Sequence, residues 1–130
     1  MDSRELLKDF KKAVLQLHDA LSLPAENDVI KAGCIQYFEF SFELAWKTIK
    51  RIAEEEGLAD CNSPKSALKA AFSNGWIDTE TVWLEMLSAR NKMSHTYSAE
   101  DAIDVYEKLP AYADALQQLA EKSSELIAGS

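Results

Sequence analysis

The stretch DVIKAGCIQYFEFSFELAWKTIKRIAEEE, residues 28–56, decides the fold. It contains no proline, follows the capping pair Asn27-Asp28, and stops at Gly57, the residue type that most readily takes the left-handed conformation closing a helix. These signals predict one helix that begins after Asn27-Asp28 and runs to Glu56. Its apolar side chains, Ile30, Tyr37, Phe38, Phe40, Phe42, Leu44, Trp46, Ile49 and Ile52, exceed what one face of a helix can carry. Two faces must be covered. Neighbours within the chain can cover one, and the surplus of aromatic residues points to a second copy, a homodimer, as cover for the other.

On the N-terminal side, Asp2 and Glu5 read as a capping box for a helix over Ser3 to Leu21, with Leu6, Phe10, Val14, Leu17 and Leu21 at three- and four-residue spacing and Pro24 beyond its end. On the C-terminal side, Ser63 as N-cap and Pro64 at the first helical position open a short helix through Ala67, Leu68, Ala71 and Phe72, which ends at Asn74-Gly75. Trp76 and Ile77 then turn the chain. A fourth helix starts near Asp78-Thr79 and buries Val82, Trp83, Met86 and Leu87 before reaching Arg90. The box from Ser98 to Asp101 opens a last helix through Ile103, Val105, Leu109, Leu116, Leu119 and Ile127, which Pro110 should kink or split. No stretch shows the two-residue alternation of a strand. The expectation is an all-α fold, an antiparallel up-and-down four-helix bundle with an additional short helix, as a single domain over residues 1–130.

Composition bounds what such a bundle can do. The chain is 47% hydrophobic and 28% charged, too apolar for a disordered protein. Its 14 basic and 22 acidic residues give a formal charge of −8, so any contact with nucleic acid must come from a local basic patch, for which Arg90, Lys92, Lys47 and Lys50 are the candidates. Cys34 and Cys61 form neither a C-x-x-C motif nor a cluster with histidine, so neither a disulfide framework nor a metal site is expected, and no cofactor motif occurs. The N-terminal residues lack the layout of a signal peptide and no apolar run is long enough to span a bilayer. A cytoplasmic protein without membrane contact is expected.

Chemistry is concentrated in the segment from Arg90 to Tyr97, RNKMSHTY. The guanidinium of Arg90 is a planar, permanently charged fork for phosphate, and the His95 imidazole exchanges a proton near neutral pH. Together they suit metal-independent phosphodiester cleavage, with His95 as acid or base and Arg90 stabilising charge on the phosphorus oxygens. Asn91 is placed to orient ribose or phosphate, and the Tyr97 hydroxyl to bond phosphate or accept a modification. Five residues on an ideal helix turn through about 140°, so Arg90 and His95 converge only if the helix loosens between them or two chains contribute. The residues alone leave a second reading open, in which Arg90, His95 and Tyr97 cap a helix C-terminus. His18 lies among core leucines. Glu39 and Glu43 share a helix face, where solvation or an ion pair with Lys47 is the expected role.

The pattern Arg90-x-x-x-x-His95-x-Tyr97 resembles the signature of the HepT-like branch of the HEPN superfamily, also described as nucleotidyltransferase substrate-binding proteins. Phe38 to Lys50, Ser63-Pro64-Lys65 and Trp83-x-x-Met86-Leu87 are similar to further family motifs, so the resemblance spans roughly residues 5 to 125. It implies a dimeric helical bundle whose two Arg/His segments face a shared cleft and cut RNA without metal. In that reading Arg90 and His95 are catalytic, Asn91 matches the polar residue after the arginine, and Tyr97 matches the family tyrosine. The implied partner is a small MNT-type nucleotidyltransferase, an antitoxin that silences the ribonuclease by transferring AMP to the tyrosine. The family's older description implies instead a non-catalytic subunit that presents a substrate to the nucleotidyltransferase as catalytic subunit.

Overall fold

The computed structural model describes residues 1–58, 61–94 and 98–129, the side chain of Ser94 excepted. The described residues form five helices, α1 (Ser3–Leu21), α2 (Asp28–Glu55), α3 (Pro64–Ser73), α4 (Glu80–Ser94) and α5 (Ala99–Ala128), and no strand. The punctuation read from the sequence sets their ends. Asp2 accepts a hydrogen bond from the Glu5 amide at 2.9 Å, and Asn27 accepts one from the Ile30 amide at 3.1 Å. Ser63 and Ser66 close a reciprocal capping box on α3, as Ser98 and Asp101 do on α5. At the other ends, Gly57 and Gly75 adopt φ of 72° and 74°. Leu58 bonds back to the Ala53 carbonyl and Trp76 to that of Ala71, at 2.9 and 2.8 Å, so both helices finish in Schellman motifs.

The break expected at Pro110 does not split the last helix: α5 runs as one element from Ala99 to Ala128. A proline inside a helix costs about 3 kcal/mol. Pro110 itself is exposed, while Val105 and Leu109 before it and Tyr112, Ala113 and Leu116 after it are buried. Each large apolar side chain so buried contributes about 1.5–3 kcal/mol, enough to offset that cost and keep the helix continuous.

Contacts along the helices fix their directions. The Ser3 amide donates to Glu55 Oε1 at 3.3 Å, so the start of α1 meets the end of α2. Lys31 lies 5.7 Å from the Tyr106 ring centroid and Phe38 lies 5.4 Å from that of Tyr112, so α2 and α5 run the same way. Trp83 shares a groove with Leu119, and Ala89 with Val105, so α4 runs opposite to α5. The long helices therefore alternate up and down, with α3 wedged between α2 and α4. Among the described residues α1 and α4 do not meet, whereas the parallel helices α2 and α5 do. The bundle is thus a flattened rhombus with α2 on its short diagonal.

That position accounts for most of the apolar surplus on α2. Phe38, Phe42, Ala45, Ile49 and Ile52 are buried in a core cluster to which all five helices contribute. Phe42 packs 6.3 Å from Trp83 of α4, and Phe38 packs 6.2 Å from Phe42. What remains outside is a strip with Phe40 50% and Val29 79% exposed, beside half-buried Tyr37 and Leu44. Among the described residues no helix is long and apolar enough to cross a membrane.

Candidate functional site

The last two turns of α4 carry Arg90, Asn91 and Lys92. Trp83, Met86, Ala89 and Met93 form the buried stripe of this helix, which anchors it against α2 and α5. Arg90 follows Ala89 and leans out to α2, where it meets Glu43. Its Nε donates to Glu43 Oε1 at 2.7 Å and its Nη2 lies 2.6 Å from the same oxygen. The other carboxylate oxygen, Oε2, accepts from the Trp46 indole at 3.0 Å. Arg90 Nη1 donates to Asn91 Oδ1 at 3.1 Å. The guanidinium is therefore gripped from α2 on one side and from its own helix on the other, and its partner carboxylate is itself fixed by an indole one turn along α2.

Glu43 does not act as expected from its spacing: its contacts are Arg90 and Trp46, and Lys47 is exposed. The reason is that α4 brings Arg90 against Glu43, and its guanidinium takes the carboxylate oxygen that Lys47, further along the same face, would otherwise have paired with. Glu39, one turn earlier and half-buried, has its carboxyl pushed up by burial, an effect that the Arg90 charge opposes and the Glu43 charge reinforces. The three side chains form an acid–base–acid cluster across two helices.

His95, Thr96 and Tyr97 lie outside the described residues, so the expected convergence of His95 with Arg90 and the placement of Tyr97 are not described. What is described brackets them. Helix α4 remains regular through Ser94, and Ser98 is already the N-cap of α5. Arg90 thus stands about one turn before the end of α4. His18 is half-buried in the last turn of α1.

Three grooves flank this end of α4, one of them, of about 160 Å³, between α4 and α5 with Lys92 beside Glu85, Asp101 and Asp104; the other two are larger. One, of about 550 Å³, is floored by Ile35, Met93 and Ala102 and edged by Lys31 and Glu39, between α2 and α5. The other, of about 610 Å³, lies between α3, α4 and the first turn of α5, and is lined by Lys65, Leu84, Leu87, Asn91, Lys92 and Asp101. Lys92 lies on the rim between this groove and the smaller α4/α5 one, and its basic companion here is Lys65; Lys47 and Lys50 do not line it. Sequence reasoning did not assign Glu43, Trp46 or Lys65 a place at the site, although all three fall in stretches that resemble family motifs.

A helical bundle with this fixed arginine at the end of α4 belongs to the nucleotidyltransferase substrate binding protein-like family, whose pattern matches residues 5–125. The HepT-like resemblance is thereby borne out. A relative described as "Probable ribonuclease HepT", from Haemophilus influenzae, is 31% identical over 105 residues, covering 75% of this chain and 72% of its own length. A Thermus thermophilus protein of known crystal structure superposes with a TM-score of 0.81 at 27% identity, over 88% of this chain and 98% of that one.

Proposed function

We propose that this protein is a HepT-like ribonuclease toxin that acts as a homodimer, cleaves RNA without metal, and is held silent in the cytoplasm by a small MNT-type nucleotidyltransferase through AMP transfer to Tyr97. The observation that carries the reading is the gripped guanidinium of Arg90, one turn before the segment that holds His95 and Tyr97. A cation whose orientation is fixed in advance stabilises charge developing on a phosphate without reorganising at the moment of reaction. His95 supplies proton transfer, and Asn91, bonded to Arg90, keeps the fork aligned with a phosphate. An adenylyl group on Tyr97 adds bulk and negative charge beside that fork and disfavours an RNA phosphate. The ribonuclease description of the Haemophilus influenzae relative supports this reading. The exposed strip around Phe40 supports pairing of two copies.

A second reading is favoured by a different observation. Glu43 and Glu39 stand against Arg90 and offset its charge, which weakens its pull on a polyanion. In that reading the bundle is a non-catalytic subunit that presents a substrate to the nucleotidyltransferase, in keeping with the family's description.

The test compares wild type, Arg90→Ala and His95→Ala on single-stranded RNA in EDTA. Cleavage by wild type that both substitutions abolish is the expected result. Intact RNA, together with binding to a nucleotidyltransferase and faster turnover by it, establishes the subunit instead. Indifference to both substitutions in every assay would leave only a structural helical adaptor.

A further inference from the structure

We propose that the groove between α3, α4 and the first turn of α5 is a track for single-stranded RNA, with Lys65 and Lys92 as its phosphate contacts. This rests on the ribonuclease reading for the identity of the ligand and adds where the strand runs beyond Arg90. The groove, at about 610 Å³, falls in the size range of small-molecule and nucleotide sites, about 300–1,000 Å³. Its wall is mixed in a useful way. Leu84, 37% exposed, and half-buried Leu87 offer an apolar side for a base or ribose, while two ammonium groups and the Asn91 amide offer a polar one.

The charge of the groove runs against that of the chain. The protein carries −8 overall, yet neither Lys65 nor Lys92 forms an ion pair among the described residues. The one acid in the lining, Asp101, turns its Oδ2 to the Ser98 amide at 3.4 Å, where it complements the positive end of α5, and leaves two cations against one anion in the groove. Lys65 is the second residue of α3, so the positive end of that helix adds to its charge. Asn91 links the groove to the candidate cleavage site, since it lines the one and accepts a hydrogen bond from Arg90 in the other. A strand whose scissile phosphate sits at Arg90 therefore finds its neighbouring phosphates met by Lys92 and then Lys65.

The test measures binding of a labelled single-stranded oligoribonucleotide to the non-cleaving His95→Ala protein by fluorescence anisotropy across a salt series. Lys65→Ala and Lys92→Ala should each reduce the slope of log K against log salt by about 0.7, which at 0.1 M salt is about a fivefold loss of affinity. Lys11→Ala, on the exposed side of α1, should leave both unchanged. Affinity and slope that ignore Lys65 and Lys92, or that respond equally to Lys11, overturn the track. So does lysine-dependent binding of ATP without binding of the oligoribonucleotide, which would make the groove a mononucleotide site. Cleavage by wild type in EDTA is read separately. A protein that cuts RNA but ignores the two lysines refutes the track alone, and one that binds RNA through them without cutting refutes the ribonuclease alone.

Discussion

Arg90 of α4 and Glu43 of α2, far apart in the chain, share a single carboxylate oxygen through both the Nε and the Nη2 of the guanidinium, at 2.7 and 2.6 Å. Both side chains are about 30% exposed, 28% and 31%, so solvent screens the pair and its contribution to stability is small. A double-mutant cycle of Glu43→Gln and Arg90→Gln, followed by urea denaturation, should give a coupling of about 0.5–1 kcal/mol that shrinks with salt. Cleavage should respond far more than stability. Glu43→Gln keeps an oxygen for Trp46 but loses the charge that orients Arg90, so kcat on RNA should fall by about tenfold or more while KM changes little. Equal losses in stability and activity would reduce Glu43 to a structural partner.

Glu39 makes a prediction whose sign is opposite to that of most surface acids. Burial raises its carboxyl in the folded state more than Arg90 lowers it, so the folded protein holds this proton to higher pH than the unfolded chain. Stability from this group is therefore present at acid pH and is lost as pH rises from the ordinary carboxylate range through the raised value. Glu39→Gln removes the penalty. The variant should match wild type near pH 4 and exceed it at pH 7, checked by urea denaturation at both values. A variant less stable at pH 7 would mean that attraction to Arg90 outweighs the burial of Glu39.

The helix ends were legible because they are set by local chemistry. Asp2, Asn27, Ser63 and Ser98 cap helices as their side chains allow, and Gly57 and Gly75 close them where φ must be positive. Of the two outcomes expected at Pro110, a kink or a split, the split does not occur, since the local cost of the proline is outweighed by core contacts on both sides that no local pattern displays. The site followed the same division. Arg90, Asn91 and Lys92 were visible as a polar run at a helix end. Glu43 was visible only as an acid with Lys47 at hand, because the partner that wins comes from another helix and depends on how α2 is turned. Lys65 was visible only as part of the stretch Ser63-Pro64-Lys65; the packing of α3 beside α4 gives it its place.

Three glycines should respond to alanine with different signs. Gly57 and Gly75 sit at positive φ, where a Cβ is strained even though nothing lies within 4 Å of it. Gly57→Ala and Gly75→Ala should each cost about 1–2 kcal/mol. Gly33 lies inside α2 with ordinary helical backbone and equally open surroundings. Gly33→Ala should stabilise by about 0.5–1 kcal/mol by lowering the entropy of the unfolded chain. Thermal melts of the three variants decide the matter, and a destabilising Gly33→Ala would show that something approaches this part of α2 in the intact protein.

The outer strip of α2 offers the last test. Phe40 is half exposed and touches Tyr37 edge-on at 6.5 Å, while Phe38 and Phe42 on either side of it are fully buried. A phenylalanine left in water gains nothing for the folded monomer, so replacing it should scarcely alter monomer stability, within about 0.5 kcal/mol. Lysine is a good helix former and would place a charge where two copies are proposed to meet. Phe40→Lys should therefore keep its circular dichroism and melting behaviour at high dilution yet sediment as a monomer where wild type sediments as a dimer. Cleavage should fall with it, because the proposed cleft between two copies is lost when they part. A variant that still sediments as a dimer moves the interface to another face, and a wild type that is monomeric at every concentration removes the shared cleft altogether.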